Sequence, residues 1–246
     1  MAFPAILYGL DKDVYETGGT MLYPLGTKLI TPSGSVFRYA EMGATVGVAN
    51  KLYQAETRTA DWVTQAIATT AMAVGDTTIT FTPAVGTALV ANDLAGGTVI
   101  AEETDDLGHI YPIKSHPAIA GAASGVLTLE DGVTVKVAMA IVGGNVLTAM
   151  KNPWKDIIIA PATTPTAIPA GIPRVIIAAN EWGWVQTQGV SSCLVNGTWV
   201  LDGPLTDGSG AAGALMPAAV DTDMPCAIAM IVGVAGDFGH CYLVLD

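Results

Sequence analysis

Asn180-Glu181-Trp182-Gly183-Trp184-Val185-Gln186-Thr187-Gln188-Gly189 decides how the rest of the chain is read. Two tryptophans flank a glycine, and a polar run follows that ends in Gly189. In a strand, successive side chains point to opposite faces. Trp184, Gln186 and Gln188 then share one face, and Val185 and Thr187 share the other. Such a strand has a wide amphipathic face, a composition used at contacts more than at reaction centres. Trp184 is expected inside the C-terminal β-structure, with Gln186 and Gln188 near a subunit contact.

Working outward, the composition supports a contact-making protein. Hydrophobic residues make up 51% of the 246 and charged residues only 13%, where roughly 25% is usual. Mean hydropathy is +0.48. So few charges suit a surface hidden in an assembly better than that of a free cytosolic enzyme. The net charge of −12 and a pI near 4.4 would repel nucleic acid, which is bound by Lys and Arg set against phosphates. The ten basic residues form no stripe, so no nucleic-acid partner is expected. No apolar run reaches about 18 residues, so no membrane partner is expected. The opening MAFPAILYGLDKD lacks a basic n-region and is not read as a signal peptide. Cys193, Cys226 and Cys241 are odd in number, without CxxC spacing. They read as reduced, half-buried thiols.

Turn signals and alternation organise the chain as mainly β. Residues 1–74 read as an N-terminal extended arm carrying a short hairpin about Pro32-Ser33-Gly34. In that hairpin Leu29 and Thr31 share one face, and Lys28 and Ile30 the other. Residues 75–150 read as a first β domain, with strands near 77–82, 98–101, 110–115, 126–130 and 133–138. Residues 151–246 read as a C-terminal β-barrel or sandwich domain. Its strands are expected at 157–159, 174–179, 184–188, 192–195, 199–201, 227–234 and 241–245. Pro161 to Pro173 reads as a stiff connector, and the Gly-rich 203–213 as a loop. The fold class is an extended arm followed by one or two antiparallel β-barrel or sandwich domains.

Chemistry-bearing patterns are sparse. His109 follows the acidic cluster Glu102, Glu103, Asp105 and Asp106. A cation there is conceivable, but the calcium-loop pattern is absent, and the cluster reads as a solvated loop beside an edge strand. Ser191-Ser192-Cys193 has no recognisable base nearby in sequence. Asn196-Gly197-Thr198 reads as a two-residue hairpin turn between 194–195 and 199–200. The 208–213 glycine run lacks the Lys of a phosphate loop. Trp182, Trp184 and Trp199 could stack on sugars, or fill a core or subunit interface. The second reading leads, because few carboxylates and amides gather near them. No catalytic residue, metal or cofactor is expected, and no enzymatic activity.

Three segments, in order along the chain, resemble a group of tailed-phage capsid-associated proteins. The first is Tyr23-Pro24-Leu25-Gly26-Thr27, followed by Gly34, then Val36-Phe37-Arg38-Tyr39-Ala40 and Gly43-Ala44. The second is Val74-Gly75-Asp76-Thr77-Thr78-Ile79-Thr80-Phe81-Thr82, with Asn92, Gly96-Gly97 and Tyr111-Pro112-Ile113-Lys114-Ser115-His116. The third is Gly183-Trp184-Val185-Gln186-Thr187-Gln188-Gly189, with Val232-Gly233-Val234-Ala235 and Cys241-Tyr242-Leu243-Val244-Leu245. The resemblance implies a virion structural protein: a decoration (cement) protein on the surface of an icosahedral head. It implies a homo-oligomer, a trimer, that binds the major capsid protein where capsomers meet. Tyr23, Leu25, Phe37, Arg38 and Tyr39 in the arm, with Gln186 and Gln188, are the residues expected at partner contacts. The rival readings are another virion component, such as a major capsid or tail-fibre subunit, and a carbohydrate-binding β module.

Overall fold

The computed structural model describes every residue except 1–4, 68, 103–107, 142–144, 209 and 220–223. In chain order its strands are β1 (Ile6–Tyr8), β2 (Lys28–Ile30), β3 (Val36–Glu41), β4 (Tyr53–Gln54), β5 (Gln65–Ala66) and β6 (Thr78–Phe81). Next come β7 (Thr98–Ala101), β8 (Ile110–Ser115), β9 (Gly125–Leu129), β10 (Val146–Met150), β11 (Ile158–Ile159) and β12 (Pro169–Pro173). The last are β13 (Trp182–Val195), β14 (Pro204–Asp207), β15 (Ala214–Pro217), β16 (Ala227–Ala229) and β17 (Phe238–Val244). Among the described residues the only helical pieces are 3-10 turns at Asp13–Tyr15 and Ala60–Trp62. The mainly β expectation therefore holds.

The chain divides into two compact units, one formed by Met1–Thr57 with Pro153–Asp246 and the other by Arg58–Asn152. This corrects the division into an arm at 1–74 and β domains at 75–150 and 151–246. The supposed arm supplies strands to the first unit. β3 pairs antiparallel with β13 from Trp182↔Glu41 to Gln188↔Val36, and β1 and β2 extend the same sheet. The cause is visible in β3 itself. Val36, Phe37, Tyr39 and Ala40 are all buried, so both faces of the strand are apolar and both need cover. The partner that joins it lies some 140 residues later, a pairing that local periodicity does not encode.

β13 is the spine of the first unit. Its first half pairs with β3 on one side and β12 on the other; its second half pairs with β17 and β15. The order β13-β15-β14-β16-β17 returns to β13, closing a five-stranded barrel. Closure leaves no unpaired edge within that ring. The interior is filled by Cys193, Val195, Leu205, Leu215, Ala227, Ala229, Cys241 and Leu243, with Trp199 among them. Side chains fill a barrel this small completely. The Trp199 indole donates Nε1–H to the Leu215 carbonyl at 2.9 Å. Gly239 makes room for it: a Cβ there would stand 2.6 Å from the ring.

Several local expectations change. Gly189 does not end the strand, because 182–195 runs as one strand of 14 residues. The 161–173 connector contains β12, and the 203–213 loop contains β14. Residues 133–138 and 174–179 are not strands. Asn196-Gly197 turns the chain without making the expected hairpin: Val195 pairs with Leu215 and Trp199 with Gly233.

The second unit is a six-stranded sheet in the order β5-β10-β7-β8-β9-β6. Its core holds Trp62, Ile79, Phe81, Val99, Tyr111, Ile113, Leu127 and Leu147. Ile79 and Phe81 do lie inward on one face, as the alternation in 77–82 predicts. β7 and β8 fall where the sequence placed them.

Candidate contact surface

The residues expected to meet a partner turn out to hold the first unit together. Phe37, Tyr39 and Gln186 are buried within the unit, which corrects their placement on a contact face. Tyr23, Leu25, Arg38 and Gln188 are half-buried. Tyr39 stands edge-on to Trp184 at 5.0 Å between ring centres, and Tyr23 packs on both. With Val14, Leu29 and Phe37 they form one aromatic-rich core cluster. Trp184 is thus inside, as the sequence led one to expect.

Gln186 and Thr187 explain the polar run. The register between β13 and β3 shifts between Gln186 and Gln188, which leaves Thr187 as the extra residue of a bulge. A bulge leaves polar backbone unpaired, and buried polar groups need partners. The Gln186 amide supplies them. Its Nε2 donates to the carbonyls of Gln188 and Val190 at 3.0 and 2.9 Å. Its Oε1 accepts from Arg174 Nε at 3.0 Å. Arg174 in turn lies over the Phe37 ring at 4.9 Å. Gly189 completes the bulge at φ +96, a backbone region that disfavours other residues.

Arg38 is the other organising cation. Its guanidinium holds the Asp246 carboxylate through Nε at 2.9 Å and through a second nitrogen. It also donates to the Gly26 carbonyl at 2.9 Å and lies over the Trp154 ring. Thr187 donates its hydroxyl to the same Asp246 carboxylate at 3.0 Å, and Lys28 stands 3.7 Å away. The Arg38 hydrogen bonds hold that carboxyl below the usual carboxylate range, against the upward push of partial burial.

Among the described residues, no group of three or more His, Cys, Asp or Glu could hold a metal ion. Glu102 accepts a hydrogen bond from Thr64, while the rest of the acidic cluster at 103–106 lies outside the described residues. His116 has both ring nitrogens engaged. Nε2 accepts from the Leu94 N–H at 2.9 Å. Nδ1 faces the Pro117 carbonyl at 2.7 Å, so the proton is assigned to Nδ1. Ser191 and Cys193 are buried, and Ser192 alternates to the other side of the strand. All three cysteines are free and buried. None of the five tryptophans is exposed: Trp62, Trp184 and Trp199 are buried, and Trp154 and Trp182 are half-buried. Trp184 and Trp199 therefore offer no open platform to a sugar.

The surface that does face solvent is one the sequence reading passed over. Along β17 the residues Phe238, His240, Tyr242 and Val244 point out, and Gly239, Cys241 and Leu243 point in. Tyr242 sits between Ile228 of β16 and Val190 of β13 in the sheet register. All three point outward. Met230, next along from β16, donates its N–H to the His240 carbonyl at 3.0 Å and is also exposed. Outward positions of an antiparallel sheet are normally polar. Here the β16–β17–β13 flank of the barrel presents Ile228, Met230, Phe238, Tyr242, Val244 and Val190, with His240 and Ser192 between them. None of these positions holds an Asp, Glu, Lys or Arg. The signal was present in the sequence: apart from His240, 238–244 carries no strongly polar side chain at either parity, which a strand with one wet face does not show.

No protein-family model matches the chain, and no curated protein matches it. Among solved structures, the chain is similar to the N base of the head fibre gp8.5 of bacteriophage phi29. The match has 10% sequence identity and a TM-score of 0.26, and covers 69% of this chain and 96% of that one. A likeness at that TM-score carries no argument about fold or function.

Proposed function

We propose that the protein is a structural component of a tailed-phage virion, a non-catalytic subunit that decorates and stabilises an icosahedral head. Its partner is the major capsid protein, bound where capsomers meet, and it acts as a homo-oligomer on the capsid surface. The observation that carries this reading is the uncharged apolar flank of the barrel. Contiguous exposed apolar surface of this kind marks interaction sites. A protein with 13% charged residues and such a flank is suited to life inside an assembly. The resemblance of the three ordered segments supplies the kind of assembly. An extended arm plays no part in the reading, because residues 5–57 belong to a folded unit.

Two rivals lose support. A carbohydrate module would need tryptophans that sugars can reach, and of the three considered Trp184 and Trp199 are buried and Trp182 is half-buried. A major capsid subunit usually carries a long helix, and none occurs among the described residues. The test is sedimentation of the purified chain with phage heads stripped of accessory proteins. Binding that saturates at a fixed ratio to the major capsid protein, with density at capsomer junctions on imaging, is expected. Heads that sediment bare at micromolar chain concentration would remove the proposal.

A further inference from the structure

The β16–β17–β13 flank has a specific occupant: we infer that it packs against the same flank of a second copy of this chain. The inference rests on reading the flank as an assembly contact, and goes further by naming what covers it.

Charge is the first argument. The chain carries a net charge of −12, so two copies repel unless they meet through a surface free of acids. The flank is such a surface. Charges stand at its two ends. Past Val244, Asp246 is paired with Arg38 and has Lys28 beside it, and Arg174 bonds the Val190 carbonyl at the same end, so cations are in excess there; at the other end Asp237 immediately precedes Phe238. A two-fold axis lying across the strands reverses their direction. It brings the Arg174 end of one copy to the Asp237 end of the next, as an isologous contact requires. An acidic partner surface would meet Arg174 but be repelled at Asp237; a basic one would meet the converse.

Area is the second argument. Val190, Ile228, Met230, Phe238, Tyr242 and Val244 are between 38% and 52% exposed. At the size of such side chains this is on the order of 500 Å². With Gln188, Ser192, Leu194 and His240 beside them, the flank approaches the roughly 800 Å² per partner of a standard interface. The polar residues also fit a second copy. Ser192 and His240 lie opposite each other in the register. A second flank brings its own hydroxyl donor and imidazole acceptor to them, so neither is buried without a partner.

The test uses the full chain in sedimentation velocity and light scattering, across a concentration series from about 1 to 100 µM. The unmodified protein is expected to self-associate. The exposed substitutions Ile228→Glu and Tyr242→Glu, made singly, should each weaken self-association by roughly 100-fold, since like charges then face each other across the contact. Far-ultraviolet circular dichroism should stay unchanged, and thermal unfolding should match the unmodified protein at a concentration where both are monomeric. Asp237→Arg should weaken association without touching the apolar centre. Val85→Glu, an 84% exposed position in the other unit, should leave association unchanged. A chain that stays monomeric throughout overturns the inference, as does an oligomer indifferent to the flank substitutions. If the chain is monomeric and Tyr242→Glu abolishes binding to heads, the flank docks the shell, and the virion role stands without the self-contact. Flank-dependent self-association with no binding to heads would support the inference and sink the virion role.

Discussion

Replacing Trp184 with Ala tests the first unit's core directly. Trp184 is 3% exposed and packs against Tyr39 and Tyr23 at 5.0 and 5.4 Å between ring centres. Removing a buried tryptophan costs about 3–5 kcal/mol through lost transfer energy and the cavity left behind. Two lost aromatic pairs, each worth about 0.5–1.5 kcal/mol beyond area, place this site at the upper end, near 5 kcal/mol. Domains of this size are stable by only about 5–15 kcal/mol, so most of the margin of the unit is at stake. At about 2–4 °C per kcal/mol for a unit of roughly 150 residues, its melting temperature should fall by about 10–20 °C. The assay is urea and thermal unfolding followed by near-ultraviolet circular dichroism, with Trp184→Phe as a milder companion. A loss under about 1.5 kcal/mol would refute the packing argument. So would a mutant that folds and assembles normally but loses binding to a small ligand.

Two further outcomes follow from the chemistry of buried and paired groups. Burial pushes the Cys241 thiol up to about 12. Burial and the Asp207 carboxylate push Cys226 up to about 12, and burial pushes Cys193 up as well. Since the thiolate is the reactive form, a disulfide reagent at pH 8 should leave native protein unlabelled and titrate three thiols in guanidinium; labelling within minutes of folded protein would contradict this. Asp246 has its folded-state pKa lowered, chiefly by the Arg38 hydrogen bonds. Its contribution is therefore fully present above the unfolded value near 3.8 and is lost as pH falls through the lower folded value. The pair is partly exposed and screened, so Asp246→Asn should cost only about 0.5–1 kcal/mol at pH 7 and flatten the stability curve below about pH 4; an unchanged acid limb would show that Arg38 does not hold this carboxylate.

Much of the strand content was legible because it is local. Thr98–Ala101 and Ile110–Ser115 alternate between turn residues, and their bounds follow from that alone. The hairpin of β2 and β3 announces itself through Pro32-Ser33-Gly34, where the Gly34 N–H closes onto the Thr31 carbonyl at 2.9 Å. The pairs that decide the architecture are not local. Nothing in Val36–Glu41 says that its neighbour is Trp182–Gln188, and nothing in Pro169–Pro173 says that this proline-bearing stretch borders the same strand. The partner residues were misread for a related reason. Gln186 looks like a surface amide by type, yet a bulge beside it creates carbonyls that only a buried amide can satisfy.

By itself the sequence determined the mainly β class and the inward place of Trp184. These follow from side-chain period and turn chemistry, which act over a few residues. Only the tertiary structure decided that residues 5–57 belong to a folded unit and supply β1 to β4 to its sheet, that β13 joins two sheet regions, and that β17 returns to it to close a barrel. Strand pairing is a contest among distant segments for the same hydrogen bonds and the same apolar cover. Closing the barrel turns Cys241 and Leu243 inward and Phe238, Tyr242 and Val244 outward. That choice between two apolar faces of one strand is the origin of the exposed apolar flank.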